Sequence, residues 1–274
     1  MFVVIGGNGK TGRRVADRLR AQGEDVRAGS RSTSPRFDWQ DASTWAPALA
    51  GAQAAYVTYH PDLAFPGVPE LLEEFCATAR TAGVRRVVLL SGRGEEGAVA
   101  SEEAVRRSGL EWAVVRCNWF NQNFSESFFL EPVRAGVLSI PAGDAVEPFV
   151  DAGDIADVAT AALTRPGHAG VVHELSGPRL LSFDDVAREL SDAAGRRISY
   201  EPVTRAEYVA ELEREGLPGD FADLFTLILD GRNASVTDGV ERALGRAPKD
   251  FSAYAREAAV SGVWNPVPAG APVG

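Results

Sequence analysis

Three glycines near the start of the chain have the spacing of a phosphate-binding loop. Gly6, Gly9 and Gly12 form G-x-x-G-x-x-G after the apolar run FVVIG and before a helical pattern. Between a strand and a helix, such a loop brings backbone N–H groups close to a pyrophosphate, and the helix N-terminus adds partial positive charge. A Walker A loop would need a glycine at Val4, so the sequence disfavours a P-loop NTPase. The loop predicts a dinucleotide site; a glycine-rich turn without a ligand is the alternative.

The residues after the second predicted strand favour one dinucleotide over the other. Proteins that bind NAD place Asp or Glu about twenty residues beyond the glycines, where it holds the ribose 2′-OH. This chain has Gly-Ser-Arg there, and the acids Glu24 and Asp25 lie at the opposite end of the strand. Ser30 can donate a hydrogen bond and Arg31 can pair with a 2′-phosphate. We therefore expect NADP(H) rather than NAD(H); for Arg31, an ordinary surface arginine is the alternative.

The usual proton-donating pair of short-chain dehydrogenases is absent. It has the form Tyr-x-x-x-Lys, in which the lysine lowers the pKa of the tyrosine. No tyrosine of this chain has a lysine four residues later, and the helix where the pair belongs reads Ser101-Glu102-Glu103-Ala104. An acceptor that needs little acid help, such as a quinone or an iminium, would suit this composition, and so would a redox sensor that performs no chemistry.

Polar side chains at strand ends are the candidate catalytic groups. Tyr59 and His60 follow one predicted strand, and Ser91 ends another. Ligands of parallel α/β sheets bind at these carboxyl ends, and histidine titrates near neutrality. We predict catalytic roles for His60, Tyr59, Ser91 and Asn118. A surface histidine, a cofactor-positioning serine and a helix-capping amide are the alternatives.

An aromatic and amide-rich stretch follows the predicted Rossmann strands. Its side chains could wall and orient an aromatic substrate, although aromatic residues at helical spacing are more often core. The predicted substrate-binding residues are Trp119, Phe120, Asn121, Asn123 and Phe124. Cys117, beside Arg116, could have a lowered pKa, with a buried structural thiol as the preferred interpretation.

Composition restricts the partners. The 274 residues carry a net charge of −10, which disfavours nucleic acid and anionic membranes. Two separated cysteines and three histidines have no metal-ligand spacing, so we expect no metal. No run reaches membrane-spanning length and there is no room for a signal peptide, so we expect the reducing cytoplasm. A small-molecule substrate is expected; the sequence leaves monomer and homodimer open.

Short apolar runs alternate with helical patterns. The alternation predicts βαβ units and a parallel sheet. Predicted strands are 2–6, 25–30, 54–59, 85–91, 111–116, 171–176 and 198–203. Predicted helices are 10–22, 66–82, 95–108 and 183–194, with Gly83 and Gly109 as stops, Asp154 as the N-cap of a further helix, and helices to about 260. We expect an α/β fold, a Rossmann-type doubly wound parallel sheet with a smaller C-terminal α/β substrate lobe. The expected domains are an NADP-binding domain at 1–150, with helix 153–164 packed on it, and a capping lobe at 165–274 interleaved with 118–145.

The chain also resembles a known family over nearly its whole length. The stretches that carry the resemblance are GGNGKTGRRVADRLRAQG, RFDWQDASTWAPAL, GVRRVVLLSGRG, SGLEWAVVRCNWFNQNF, EPFVDAGDIADVA, ELSGPRLLSF and DGRNASVTDGVERALGR. They resemble the NmrA-like branch of the atypical short-chain dehydrogenase/reductases, and more narrowly the NAD(P)-binding proteins related to festuclavine synthase and NAD(P)H:quinone reductases.

The resemblance implies a set of cofactor contacts. These comprise the glycine loop, the end of the second strand, an adenine contact and the path of the cofactor toward Asn118. The residues are Gly6, Asn8, Gly9, Lys10, Thr11, Gly12, Ser30, Arg31, Asp38, Trp39, Thr58, Tyr59, His60, Ser91 and Cys117. Two departures lie where nicotinamide and substrate should meet: VTYHPD replaces a more apolar stretch, and Cys117 replaces a usual proline. Substrate identity therefore does not carry over.

From residues and resemblance together, the expected function is an NADPH-dependent reductase without the Tyr-x-x-x-Lys dyad. Its acceptor would be small and aromatic or conjugated, of quinone or imine type. A non-catalytic NADP-binding redox sensor of the NmrA type and a non-redox enzyme on the same fold are the alternatives.

Overall fold

A six-stranded parallel sheet organises the first part of the molecule. The computed structural model describes residues 1–214 and 229–265. The strands are β1 (Phe2–Ile5), β2 (Val26–Gly29), β3 (Ala54–Val57), β4 (Arg86–Gly92), β5 (Glu111–Cys117), β6 (Val137–Ile140), β7 (Val146–Glu147), β8 (Val171–Leu175), β9 (Leu181–Ser182) and β10 (Ser199–Pro202). The large sheet has the order β2-β1-β3-β4-β5-β8, with every neighbouring pair parallel. The predicted Rossmann-type α/β class is confirmed.

Helices connect the strands as the alternation predicts. They are α1 (Lys10–Ala21), α2 (Trp45–Leu49, after a 3₁₀ turn at Ala42–Thr44), α3 (Val68–Thr81), α4 (Glu96–Arg106), α5 (Asn123–Glu126), α6 (Leu130–Ala135), α7 (Ala152–Thr164), α8 (Phe183–Ala194), α9 (Arg205–Arg214), α10 (Gly239–Leu244) and α11 (Phe251–Val260). Within residues 1–214 and 229–265, none of these helices is long and apolar enough to cross a bilayer.

The strand order reverses between β1 and β3. From β1 the chain moves outward to β2, then returns to the other side of β1 and continues through β3, β4 and β5. In open α/β sheets, ligands bind in the crevice at the carboxyl ends of the strands at this reversal. The glycine loop follows β1, so the topology puts it at the reversal.

The chain divides into two compact units. The first unit comprises residues 1–117, 152–176 and 237–247. One face of its sheet packs on α3 and α4, where alternate strand residues such as Val3, Ile5 and Val57 belong to the same buried apolar cluster as Leu72 and Phe75. Helix α7 packs beside α1. Because both faces are covered, the central strands β1 and β3 are buried and apolar throughout rather than alternating with polar residues.

The second unit comprises residues 118–151, 177–236 and 248–274, within the described ranges. Two small sheets, parallel β6–β10 and antiparallel β7–β9, accompany helices α8 and α11. Its core is aromatic and includes Phe124, Phe149 and Phe251, and the indole N–H of Trp264 donates to the Phe124 carbonyl at 2.7 Å. The domain boundaries expected from the sequence stay a prediction.

Most predicted elements are confirmed to within about two residues, and 183–194 is matched at both ends. Gly83 and Gly109 follow helices in the left-handed conformation, as predicted. The N-cap assignment of Asp154 is wrong, because α7 begins at Ala152. Asp154 instead lies in the first turn, where it is ion-paired with Arg246 at 2.7 Å. The predicted helices before residue 260 fall partly on 215–228, outside the described residues.

Candidate functional site

The glycine loop leaves no space for larger side chains. Gly6 has a φ of +74°, and a Cβ there would lie 2.2 Å from Thr58 Oγ1. A Cβ on Gly12 would lie 2.2 Å from the Gly6 carbonyl oxygen, while Gly9 donates its N–H to the same oxygen at 2.8 Å. Glycine is therefore required at Gly12 by close packing and at Gly6 by both packing and conformation.

The first turn of α1 is suited to an anion. Gly9 precedes the helix and has no side chain to cap the first-turn N–H groups, and the described helix has no acidic residue in that turn. Lys10 and Thr11 begin the helix, with Thr11 buried. The N–H groups at a helix N-terminus and an adjacent lysine favour negative charge.

A cluster of hydroxyl and amide groups lies where β1 and β2 end. The Asn8 amide donates to Ser30 Oγ at 3.2 Å and to Ser32 Oγ at 3.4 Å, and the two hydroxyls are 3.1 Å apart. Arg31, between the two serines, is exposed. The structure thus brings Asn8 and Ser30 together as a cluster without a carboxylate. Ser32 is a member that the sequence reasoning missed, although the run SRSTS offered a signal.

Asp38 and Trp39 lie beside this region of the first unit. The Trp39 indole N–H donates to the Thr58 carbonyl at 3.1 Å, and its ring is 5.5 Å from that of Tyr59. A hydrogen bond from the Gln40 backbone N–H, with further help from nearby arginines, holds the pKa of the Asp38 carboxyl below its usual range. Trp39 therefore links two predicted cofactor segments, the one after β2 and the one after β3.

The segment after β3 is anchored at its start and exposed beyond. Thr58 Oγ1 donates to the Ile5 carbonyl at 3.2 Å, which ties the ends of β1 and β3 together. Tyr59 is half-buried and His60 is exposed. The catalytic roles of Tyr59 and His60 stay predictions.

Ser91 belongs to a buried ionic network. Its hydroxyl donates to Glu102 Oε1 at 2.6 Å, and Glu102 on α4 is 1 % exposed. Arg116 on β5 donates to both oxygens of Glu102 and also to Glu174 on β8. The hydrogen bonds that Arg116 donates to Glu102 are the largest cause that raises the pKa of Arg116 above its ordinary value. The sequence analysis names Glu102 only as part of the helix that lacks the Tyr-x-x-x-Lys pair. Its role in the network depends on tertiary contacts that residue spacing does not predict.

A pair of acidic residues lies on the loops after β3 and β4. Burial, reinforced by the charge and hydrogen bond of Asp62, raises the pKa of Glu95 to about 8. The Glu95 carboxyl lies against the Gly92 backbone, since a Cβ on Gly92 would come within 2.5 Å of Glu95 Oε1. Asp62 accepts the Ala64 N–H at 2.8 Å. The sequence analysis did not single out this pair.

Cys117 ends β5 as a buried thiol. Burial raises its pKa, and Arg116 directs its guanidinium to Glu102 and Glu174. The alternative of a thiol activated by Arg116 is therefore wrong, and the structural interpretation agrees with the burial. Within the described ranges, no cluster of three or more His, Cys, Asp or Glu residues could hold a metal ion.

The predicted amide residues lie in the second unit. The Asn118 amide donates to buried Glu147 at 2.9 Å, and Gln122 donates to Asp151 at 2.8 Å. Asn121 is fully buried, and neither polar atom of its side chain has a hydrogen-bond partner among the described residues. A buried amide in this state is uncommon in folded proteins and marks a place where a bound molecule or water could be held.

The predicted aromatic residues are partly core. Phe124 is fully buried and Trp119 is 9 % exposed, and both belong to the aromatic core of the second unit. Trp119 stacks on Phe129 with ring centroids 5.8 Å apart. Phe120 is half-buried, and Asn123 is buried at the start of α5. Their substrate-binding roles stay predictions.

The residues present fit a dinucleotide. The glycine cradle would be filled by any Cβ at Gly12, the α1 N-terminus faces it without a capping side chain, and the hydroxyl cluster around Ser30 carries no acid. Gly9, Lys10 and Thr11 would hold the pyrophosphate, with Ser30 and Arg31 toward the ribose.

Comparison with known proteins agrees with this fit. Residues 6–166 match the family described as NAD(P)H-binding. An uncharacterized oxidoreductase of Bacillus subtilis is 33 % identical over 93 % of each chain, and agroclavine dehydrogenase of Claviceps fusiformis is 30 % identical over 92 % of this chain and 95 % of that one. In fold, the chain is similar to an NADPH-dependent quinone oxidoreductase of Escherichia coli solved with NADPH, with a TM-score of 0.79, 19 % identity and coverage of 94 % and 99 %.

The family match covers more than half of the chain, and the relatives align along nearly their full length. The resemblance predicted from the sequence is confirmed, as is an NAD(P)(H) cofactor. The chain belongs to the NAD(P)H-binding family and is an NAD(P)H-dependent oxidoreductase of the atypical short-chain dehydrogenase/reductase kind.

Proposed function

We propose that the protein is an NADPH-dependent reductase of a small aromatic or conjugated acceptor, of quinone or imine type. The observation that carries the proposal is the buried ion pair between Glu102 and Arg116 beside Ser91. Glu102 lies on the helix where a tyrosine would otherwise donate a proton. An ion-paired carboxylate cannot supply a proton, so an acceptor that needs none from the protein suits this site. When bound, the cofactor supplies the hydride.

The preference for NADP over NAD is supported by the end of β2. Ser30 and Ser32 present hydroxyls beside exposed Arg31. The cluster that these serines form with Asn8 contains no carboxylate that would bind the ribose 2′-OH. A carboxylate there would repel a 2′-phosphate, whereas a guanidinium forms charge-assisted hydrogen bonds with it. The predicted 2′-phosphate contact is therefore with Ser30 and Arg31.

The acceptor class is supported by what each acceptor requires. Hydride addition to an iminium gives a neutral amine, and a quinone needs a hydride and one proton, which water can supply to the hydroquinone anion. Asn121, predicted from the sequence to bind substrate, has a buried amide with no hydrogen-bond partner among the described residues, and this amide offers one donor group and one acceptor group. A small-molecule acceptor also fits the net charge of −10, which disfavours nucleic acid.

The test is NADPH oxidation against a panel of quinones, cyclic imines and ketones. We expect turnover with quinones or imines and much slower turnover with ketones, which need an acid. NADPH binding at micromolar concentration without turnover of any acceptor would overturn the reductase proposal. That result would favour the redox-sensing regulator, for which the missing Tyr-x-x-x-Lys pair is the supporting observation.

A further inference from the structure

The Ser91 hydroxyl has one proton, and the residue behind it decides where that proton points. Ser91 Oγ lies 2.6 Å from Glu102 Oε1, and both side chains are buried. Glu102 is ion-paired with Arg116, and an ionised carboxylate is an acceptor only. The serine must therefore donate its proton to Glu102, which leaves its oxygen lone pairs for any bound molecule.

The direction of this hydrogen bond is held by several elements of the first unit. Ser91 is on β4, Glu102 on α4 and Arg116 on β5, and Arg116 also donates to Glu174 on β8. Reversing the Ser91–Glu102 bond would require a protonated Glu102 beside a guanidinium that already donates to both of its oxygens. Buried polar groups that are satisfied in this way adopt one arrangement.

We propose that Ser91 accepts a hydrogen bond from a bound molecule, and that Glu102 is the positioning residue that keeps it an acceptor. The inference rests on the proposed function, because it concerns the same site at the carboxyl ends of the strands. The group that Ser91 recognises is an N–H donor. Two sources share this chemistry: the carboxamide of the nicotinamide ring and the N–H of a protonated imine acceptor. A ketone oxygen or an oxyanion would face lone pairs and is disfavoured.

The first arm of the test measures binding and needs no turnover. Dissociation constants for NADP⁺ and for its 3-acetylpyridine analogue, which lacks the amide NH₂, are measured by calorimetry for the wild type and Ser91→Ala. If the carboxamide is the donor, the variant binds NADP⁺ about 3- to 10-fold more weakly and the analogue nearly unchanged. Ser101→Ala is the matched control, since its buried hydroxyl lies on α4, the helix of Glu102, and donates to the Leu63 carbonyl instead of to Glu102.

The second arm separates the other source. If the protonated imine substrate is the hydrogen-bond donor, Ser91→Ala leaves both nucleotide dissociation constants unchanged. The variant then raises the KM of a protonated imine about 3- to 10-fold and leaves the KM of a quinone unaffected. Equal losses for ligands with and without an N–H, or no loss in either arm, would overturn the proposal. If the wild type turns over no acceptor, the proposed function fails, and the binding arm alone decides whether Ser91 is an acceptor.

Glu102→Ala tests the positioning role. Without Glu102 the serine proton is free to point at the ligand, so the preference that Ser91 confers, for NADP⁺ over the analogue or for a protonated imine over a quinone, should shrink or invert. Glu103→Ala removes a neighbouring carboxylate that pairs with Arg107 on the surface, and it should leave the preference intact. An unchanged preference in folded Glu102→Ala would overturn the positioning role; if that variant does not fold, Ser91→Ala decides the inference.

Discussion

The glycine loop and the Ser91–Glu102 network lie in the same unit but depend on different kinds of interaction. The loop uses backbone groups, small residues and close packing, so that a single Cβ at Gly12 would collide with a carbonyl oxygen. The network uses one serine and three long charged side chains, which come from four elements and are joined by hydrogen bonds between residues up to 58 positions apart. Local spacing determines the first and tertiary contacts determine the second.

The largest combined effect that we expect, on stability and on cofactor affinity together, is at the glycine loop. In Gly12→Ala, the new Cβ would lie 2.2 Å from the Gly6 carbonyl oxygen, so the loop must shift. Overpacking costs about 1–3 kcal/mol, and the shift misplaces the N–H groups of the cradle, so we expect NADPH affinity to fall at least ~10-fold. Fluorescence titration measures the affinity, and thermal unfolding measures the stability.

Gly23→Ala is the control for this change. Gly23 follows α1 in the left-handed conformation, and no atom of another part of the protein lies within 4 Å of the site of its Cβ. It should lower stability through strain and leave NADPH affinity unchanged. Wild-type affinity in Gly12→Ala would show that the close packing does not define the cofactor cradle.

Arg31→Asp tests the end of β2. A carboxylate beside Ser30 would repel the 2′-phosphate and accept the ribose 2′-OH, so we expect NADPH affinity to fall ~10- to 100-fold while NADH affinity rises. Arg20→Asp makes the same charge change on an exposed part of α1 and should leave the preference intact. An unchanged NADPH preference in Arg31→Asp would place the 2′-phosphate contact on other residues.

The same contrast explains how far the sequence could be read. Alternating apolar and helical runs predicted the parallel sheet, and glycine spacing predicted the loop, because both depend on neighbours in the chain. Asp154 was misassigned because a favourable N-cap residue is also favourable within the first turn, where Arg246 binds it. The roles of Glu102 and Glu95 could not be predicted from the sequence, because a carboxylate on a helix or loop has no distinctive spacing. Their roles become visible only with their partners Arg116 and Asp62.

Asn121 is an intermediate case: the sequence predicts it as a substrate-binding residue, but only the structure shows that its amide is buried without a hydrogen-bond partner among the described residues. Asn121→Leu replaces a buried amide, whose polar atoms have no hydrogen-bond partner among the described residues, by an apolar side chain of similar size. We expect the free energy of unfolding to rise by about 1 kcal/mol while kcat/KM for the acceptor falls at least ~10-fold. Denaturant unfolding and steady-state kinetics measure the two quantities. A loss of stability would show that the amide is satisfied in the folded protein, which removes the argument that a ligand completes it.

The last prediction concerns Glu95 and the pH dependence of stability alone, and its sign follows from the raised pKa. The folded-state pKa of about 8 exceeds the ordinary value of 4.5, so the folded state holds the proton more tightly than the unfolded chain does. The stability contributed by this group is fully present below about pH 4.5 and is lost as the pH rises through 8. Glu95→Gln cannot titrate, so its melting temperature should gain on that of the wild type between pH 5 and pH 9. Glu96→Gln, at an exposed neighbour, should show no such trend. A difference in melting temperature between Glu95→Gln and the wild type that does not change with pH would contradict the raised pKa. It would mean that burial and Asp62 do not keep the Glu95 carboxyl protonated, and that Glu95 ionises as a carboxyl on an exposed loop does.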